Sequence, residues 1–541
     1  MPCVTNERFW RVLQPLETAL DFPESGEKNR RARDYFENEC RTCLSFISAL
    51  LVHPLARQKR GSMFSTPYIG GKTIEAPPSA FSDVINPANQ KPFARIFMAQ
   101  EQHMRAAIDA AEAARKSWGD TLAAQREAIL MRAADELEKA SEEMIELLIE
   151  EAGSTFGKAH FEVPFAANLV RSIAGEARRI RGDVFPSDVP GMISMAIRRP
   201  LGVVGGISPF NFPVVLSLKK VAFALACGNT FVLKPSEETS LVGLKLAEIF
   251  ERAGVPAGVF NVVPGDGPSL AKVLIDDPRV KLVSFTGSTA VGRIIAVECA
   301  RRGKRCVLEM GGKSPLIILK DADLDYAVDT ACFGIFIHQG QICMAGSRII
   351  VEAPIYEEFL KRFTAKAQTM KVGDPRDPHT VIGPLIRSSQ CPMIDKKIKD
   401  AVAAGARLLT GGKYEGNFYH PTVVADVTPD MAAFRDELFG PVAAVTKAHD
   451  ADHALALANS STYGLSSAVL TNNLQLAMRF ALELEAGMVH LNGPTIHDEG
   501  TVPFGGVKDS GMGREGGRWS TDEMTEVKWI TIQTGRRQYP F

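Results

Sequence analysis

Apolar residues recur along the chain with two alternating periods. Over residues 102–118, Met104, Ala107, Ile108, Ala111, Ala114 and Trp118 follow helical spacing, and residues 122–149 continue as one long helix rich in alanine, leucine and glutamate. These helices are expected to cover a sheet. Between Pro200 and Met310, short apolar runs at 202–207, 230–234, 259–263 and 281–285 alternate with helical stretches near 214–226, 241–253 and 288–300. That rhythm predicts a parallel α/β sheet, in which ligands bind at the carboxyl ends of the strands. It restarts after Lys313 with a strand at 316–319 and a helix at 324–336, then runs through α/β units at 348–367, 441–458 and 467–484. The restart predicts a second α/β domain, with the break near Gly311-Gly312.

Composition narrows the class without naming a function. At 541 residues the chain exceeds one compact core, and two or three domains are expected. Hydrophobic residues make up 45% and charged residues 23%, with a formal net charge of -1, which favours neither nucleic acid nor a membrane surface as partner. There is no apolar run of eighteen residues, hence no expected membrane span. Nine scattered cysteines do not make a disulfide framework, so a reducing, cytoplasmic location is expected. The isolated Cys40-Arg41-Thr42-Cys43 lacks a second pair or a fitting histidine, and no metal site is assigned. Residues 1–62 have the least legible pattern. Their apolar stretch at 44–52 is too short to cross a bilayer, and the segment is read as an appendage of unknown role.

Two stretches carry the candidate chemistry. In Gly340-Gln341-Ile342-Cys343-Met344-Ala345-Gly346-Ser347-Arg348 a glycine-flanked loop lifts one cysteine out of an apolar run. A free thiol has a pKa near ~8.5 and is only a few per cent thiolate at neutral pH, so a nucleophilic Cys343 needs a base or a positive dipole beside it. Glu309 ends an apolar strand in Val307-Leu308-Glu309-Met310-Gly311-Gly312-Lys313-Ser314-Pro315 and can supply that base. Taken singly, the cysteine reads as a small buried hydrophobe and the glutamate as a surface or capping residue. Phe285-Thr286-Gly287-Ser288-Thr289-Ala290-Val291-Gly292 adds a strand, a glycine turn and a helix start, the arrangement that offers backbone N–H groups to a phosphate.

Together these motifs resemble the aldehyde dehydrogenase superfamily, and the resemblance runs from about Tyr68 to Ile532. It implies an aldehyde dehydrogenase-like α/β fold: a variant Rossmann cofactor domain at 63–181 and 201–312, a catalytic α/β domain at 313–508, and small β oligomerisation segments at 182–200 and 525–534. It implies Cys343 as nucleophile, Glu309 as base and Asn211 as an oxyanion donor together with the backbone N–H of the nucleophile, with Lys220 and Glu515 supporting the base and relaying protons. For NAD it implies contacts from Ser208, Pro209, Phe210, Lys234, Ser236, Glu237, Gly267, Phe285, Thr286, Gly287, Ser288, Gly292, Gly311, Glu437 and Phe439. Among these, Lys234 and Glu237 would hold the adenine-ribose hydroxyls, and a carboxylate there should repel a 2′-phosphate, favouring NAD over NADP. The break at Gly311-Gly312 would set Glu309 and Cys343 on opposite walls of one cleft.

Residues 337–344 and 492–499 look most like the branch that oxidises aromatic aldehydes such as salicylaldehyde, vanillin and benzaldehyde. Phe210, Ile342 and Met344 would suit a ring, and equally an aliphatic chain. Gly513-Arg514-Glu515 departs from that branch, where an aromatic residue often stands in place of the glutamate. His497-Asp498-Glu499 reads as a polar loop, because adjacent residues on extended chain face opposite ways. The β-rich segments at 193–199 and 526–532 match those the family joins across a dimer, so a homodimer or homotetramer is expected. The competing readings are a broad-specificity or aliphatic semialdehyde enzyme, a CoA-acylating enzyme, a cofactor-independent thiol esterase and a structural protein on the same fold. Glu309 as hydrolytic base argues against CoA, the phosphate turn with Lys234 and Glu237 against the esterase, and the intact Cys343, Glu309 and Asn211 against the structural role.

Overall fold

The alternation between residues 203 and 309 becomes five parallel strands in the computed structural model, which describes residues 65–541. The strands Phe260–Val262, Thr230–Lys234, Val203–Ile207, Val280–Thr286 and Arg305–Glu309 lie side by side in that order. The chain therefore builds outward from the Val203–Ile207 strand and then reverses, which leaves a crevice at the carboxyl ends of Val203–Ile207 and Val280–Thr286. Short antiparallel strands complete an eight-stranded sheet at its two edges, Tyr68–Ile69 with Lys72–Thr73 on one side and Gly511–Met512 on the other. All five residues of Val203–Ile207 and of Thr230–Lys234 are buried. Fully covered parallel strands of this kind read as unbroken apolar runs in sequence.

A second sheet of seven strands orders Arg407–Thr410, Thr422–Ala425, Val442–Ala448, Arg348–Glu352, Pro315–Ile318, Ser466–Leu470 and Met488–Leu491. Only the first is antiparallel to its neighbour. Two mainly parallel sheets with covering helices make the α/β architecture expected from the rhythm.

Two details differ from the expectations. The single long helix over 122–149 is two helices, Ala123–Lys139 and Ser141–Ala152, parted at Ala140. Both strong helix formers and the apolar stripe continue across the break, so periodicity does not mark it. The two β segments expected to meet across a dimer pair instead within the chain: Met192–Pro200 runs antiparallel to Thr525–Gln533, from Thr525 opposite Pro200 to Gln533 opposite Met192. Asp183–Phe185 adds a third strand. Intrachain pairing satisfies one edge of each long strand without a second molecule. The Cys40/Cys43 pair and the 1–62 appendage lie outside the described residues. Among the described residues no helix is long and apolar enough to cross a membrane, and no group of three or more His, Cys, Asp or Glu could hold a metal ion.

Candidate active site

The cysteine loop is held in a conformation that few sequences accept. The Leu324–Phe336 helix ends at Phe336, and His338, Gln339 and Gly340 then take left-handed backbone angles in succession, with φ of 48°, 57° and 70°. Left-handed residues other than glycine store strain and persist only where their surroundings hold them. Here the holding groups are visible. Gln339 Nε2 donates to the carbonyls of Gly153 (3.2 Å) and Pro384 (3.0 Å). Gln341 Oε1 accepts from the Ile386 N–H at 3.1 Å. Gly340 has no alternative, since a Cβ there would lie 2.2 Å from the Gly440 carbonyl oxygen.

Asn211 reaches this loop from the other sheet. It follows the Val203–Ile207 strand, just before the Pro213–Ala226 helix, and its Nδ2 donates to the Gln341 carbonyl at 2.9 Å. Buried Glu162 caps that helix by accepting from the Val214 and Val215 N–H groups at 2.9 and 3.3 Å, and it pairs with buried Lys158. The Lys158 ammonium lies 4.6 Å from the centre of the Phe212 ring, and the His338 ring packs on Phe212 at 5.5 Å. Burial, and then the Lys158 charge, keep His338 well below the ordinary histidine range, so it is a neutral ring. Sequence reasoning passed over this cluster; its signal was a lysine and a glutamate four apart inside an apolar helix.

Glu309 is the last residue of its strand and is 2% exposed. Among the described residues neither of its carboxylate oxygens has a hydrogen-bond partner. Burial, with the nearby Glu515 charge adding, pushes its pKa well above the usual carboxylate range against the pull of Lys220, Lys219 and Arg514. Lys220, on the Pro213–Ala226 helix, pairs with Glu515 at 2.6 Å and donates to Ser284 Oγ at 3.2 Å. The Ser284 hydroxyl in turn donates to Glu515 at 3.1 Å. Cys343 keeps partial exposure. Its thiol is nevertheless pushed up to about 12 by burial, with the Glu437 and Glu309 charges adding to the rise. The sequence reading looked for surroundings that favour the thiolate, and this site instead holds the thiol protonated. Proton removal must therefore accompany attack.

The remaining predicted residues collect at the carboxyl ends of the first sheet. Lys234 Nζ meets Glu237 at 2.6 Å, and burial lowers the lysine pKa against that partner. Gly267 closes the same corner, where a Cβ would lie 2.7 Å from Glu237 Oε1. Ser236 caps the short turn that carries Glu237. Ser208 continues from the central strand, its N–H bonded to the Lys234 carbonyl at 3.2 Å, and leads through Pro209 to Phe210. Across the crevice, Phe285 and Thr286 end their strand and Gly287 turns the chain. Ser288 then caps the Thr289–Arg301 helix, and Gly292 packs against Met310. Glu437 accepts from the Gly312 N–H at 3.0 Å and closes over Gly311. Burial pushes Glu437 up to about 7, opposed by that N–H and by Lys313. The Phe439 ring stands edge-on to Phe210 at 5.8 Å.

Two further side chains converge here unpredicted. Lys219, next to Lys220, is buried and pairs with Asp498 at 2.6 Å, while His497 and Glu499 on either side face outward and bond each other at 3.0 Å. A pair of adjacent lysines inside an otherwise apolar helix was the available signal.

The arrangement can bring a thiol, a carboxylate base and an amide donor to one carbonyl group, beside a crevice with the features of a dinucleotide site. The aldehyde dehydrogenase family model matches residues 75–530. A benzaldehyde dehydrogenase of Bacillus subtilis (strain 168) is 42% identical over 475 residues, covering 88% of this chain and 98% of that protein. An NAD(+) benzaldehyde dehydrogenase of Pseudomonas putida is 38% identical over 483 residues, covering 89% and 98%. The crystal structure of a salicylaldehyde dehydrogenase from Pseudomonas putida G7 complexed with salicylaldehyde superposes with a TM-score of 0.86 at 37% identity, covering 89% of this chain and all of that one. The chain belongs to the aldehyde dehydrogenase family.

Proposed function

We propose that this enzyme oxidises an aldehyde, with a preference for aromatic ones, to its carboxylic acid, using NAD and passing through a thiohemiacetal and a thioester on Cys343. The observation that supports the reading is the buried Glu309 carboxylate, without a hydrogen-bond partner among the described residues and near enough to Cys343 for its charge to raise that thiol. Glu309 takes the thiol proton as sulfur bonds to the carbonyl carbon. The carbonyl oxygen gains the charge and is held by the Cys343 N–H and the Asn211 amide. That amide has two N–H groups, one of which goes to Gln341, leaving the other for the oxyanion. When bound, NAD supplies the acceptor for the hydride and its two electrons. Once its first proton has left by way of Lys220 and Glu515, Glu309 deprotonates a water that attacks the thioester, the carbon–sulfur bond breaks, and this second proton returns to sulfur. Lys220 and Glu515 hold charge behind Glu309 and give its proton a route away.

The cleft suits a dinucleotide: Gly287 and the Ser288 cap present a helix start at the reversal of strand order, and Glu437 stands over Gly311. Lys234 with Glu237 would hold the adenine ribose, and the Glu237 charge favours NAD over NADP. On this reading residues 63–181 and 201–312 bind the cofactor and 313–508 carry the chemistry. The segments at 182–200 and 525–534 build a homodimer or homotetramer through a face that exposes Phe185, Val527 and Trp529. A thiol nucleophile among scattered cysteines favours a cytoplasmic location.

The aromatic preference rests on the relatives named above, and a panel of aromatic and aliphatic aldehydes, followed by NADH absorbance, tests it. Benzaldehydes are expected to give the highest kcat/KM, and Cys343→Ala no turnover. Equal turnover across the panel ends the aromatic assignment, and turnover by Cys343→Ala ends the mechanism.

A further inference from the structure

Lys219 and Lys220 are consecutive on the Pro213–Ala226 helix, yet their ammonium groups go to different carboxylates. Lys220 meets Glu515 behind the base, whereas Lys219 meets Asp498 Oδ1 at 2.6 Å. The Lys219 side chain has no exposure, and its Nζ lies 4.1 Å from the centre of the Phe504 ring. Phe504 belongs to the apolar cluster against which Cys343 and Phe212 pack. Asp498 retains 13% side-chain exposure, so the pair is open on the carboxylate side. Both charges reach the reacting groups: Asp498 contributes to the rise of the Cys343 thiol, and Lys219 pulls against the rise of Glu309.

A buried ammonium beside a reacting carbonyl would be a strong anchor for an anionic group on the substrate, since an unpaired charge in such a place gains most from a counter-ion. Asp498 already fills that role. We propose that Asp498 is a specificity-determining residue: by occupying Lys219 it turns the cleft against aldehydes that carry a second, negatively charged group and reserves it for uncharged ones. The inference rests on Cys343 oxidising aldehydes and adds the charge class of the substrate. An aldehyde bearing a carboxylate finds no free ammonium and meets the exposed side of the Asp498 carboxylate, a repulsive element of the kind that sets specificity. An uncharged ring approaches without that cost.

The probes are 4-methylbenzaldehyde and 4-formylbenzoate, close in size and different in charge, each followed by NADH absorbance. For the wild type, kcat/KM for 4-formylbenzoate is expected to be lower by about tenfold or more. In Asp498→Asn the ratio of 4-formylbenzoate to 4-methylbenzaldehyde is expected to rise by about tenfold, because the buried Lys219 charge is then left without its counter-ion and draws the carboxylate toward it. In the double variant Lys219→Met/Asp498→Asn, where both charges are gone, the ratio is expected to fall back toward the wild-type value. A wild type that prefers 4-formylbenzoate, an unchanged ratio in folded Asp498→Asn, or a raised ratio that persists in the double variant overturns the proposal. If Asp498→Asn does not fold with its unpaired ammonium, the wild-type ratio decides alone. A wild type that oxidises 4-methylbenzaldehyde but fails the ratio sinks only this inference, whereas one that oxidises neither probe sinks the reaction beneath it.

Discussion

Glu237, three residues past the Thr230–Lys234 strand, and Glu309, the last residue of the Arg305–Glu309 strand, stand at the carboxyl ends of one sheet in opposite surroundings. Glu237 keeps 38% side-chain exposure and rests on the Lys234 ammonium at 2.6 Å. Glu309 is 2% exposed, and neither of its oxygens has a partner among the described residues. An exposed, paired carboxylate can trade water and a lysine for a ribose hydroxyl at small cost, which suits binding. A buried, unpaired one gains from every proton it takes, which suits a base. The same side chain thus takes on two different characters according to what the fold places around it.

The largest effect expected from breaking this contrast is at Glu309. Glu309→Gln keeps the shape and removes the base, and kcat should fall by about 10²–10⁴. Because Glu309 serves both the thiol and the water, acylation of Cys343, read by mass spectrometry, and release of acid should both slow; rapid release of acid by the variant would exclude Glu309 as the base. In the wild type the raised Glu309 must lose its proton to work, so the acid limb of the kcat/KM profile should lie well above its ordinary value of 4.5, with activity rising toward alkaline pH.

Next is Asn211, whose amide is tied to the Cys343 loop through the Gln341 carbonyl. Asn211→Ala should lower kcat by about 10²–10³ with KM for NAD unaltered. A loss confined to cofactor KM would assign Asn211 to binding and not to the oxyanion.

Smaller again is the effect at the exposed carboxylate. Glu237→Gln should leave kcat near the wild-type value while raising KM for NAD, and it should improve use of NADP relative to NAD by about tenfold. Steady-state kinetics with both cofactors measures this, and a kcat collapse would contradict the division between binding and chemistry.

Glu437 tests the middle of the comparison, being buried like Glu309 but holding one N–H partner. Its folded pKa of about 7 lies above the ordinary 4.5. Stability from this group is therefore complete at low pH and lost as pH rises through about 7. Glu437→Gln should abolish that part of the decline, seen as a flatter profile of Tm against pH; identical slopes for variant and wild type would mean that Glu437 does not titrate there.

Much of the fold was legible because it is local. Most strands and helices from 203 to 367 and from 441 to 483 follow from apolar runs that must be buried on both faces and helices that must cover them, whereas the helices Gly267–Asp276 and Gln390–Ala403 and the strands Arg407–Thr410 and Thr422–Ala425 were not anticipated. The helix break at Ala140 was not legible, because no glycine, proline or lost periodicity marks it. Nor was the pairing of Met192–Pro200 with Thr525–Gln533, since each strand shows an edge without saying what fills it.

The residue types of the site, a lone thiol in a glycine-flanked loop and a carboxylate ending an apolar strand, were set by the chain itself, because covalent chemistry depends on which atoms are present. Their state was decided only by the tertiary structure. Burial that protonates Cys343, desolvation that lifts Glu309, three left-handed residues held by the carbonyls of Gly153 and Pro384, and an aspartate turned inward onto Lys219 all arise from groups far apart in sequence. Proton affinity and strain are set by what surrounds an atom, and those surroundings exist only once the chain has folded.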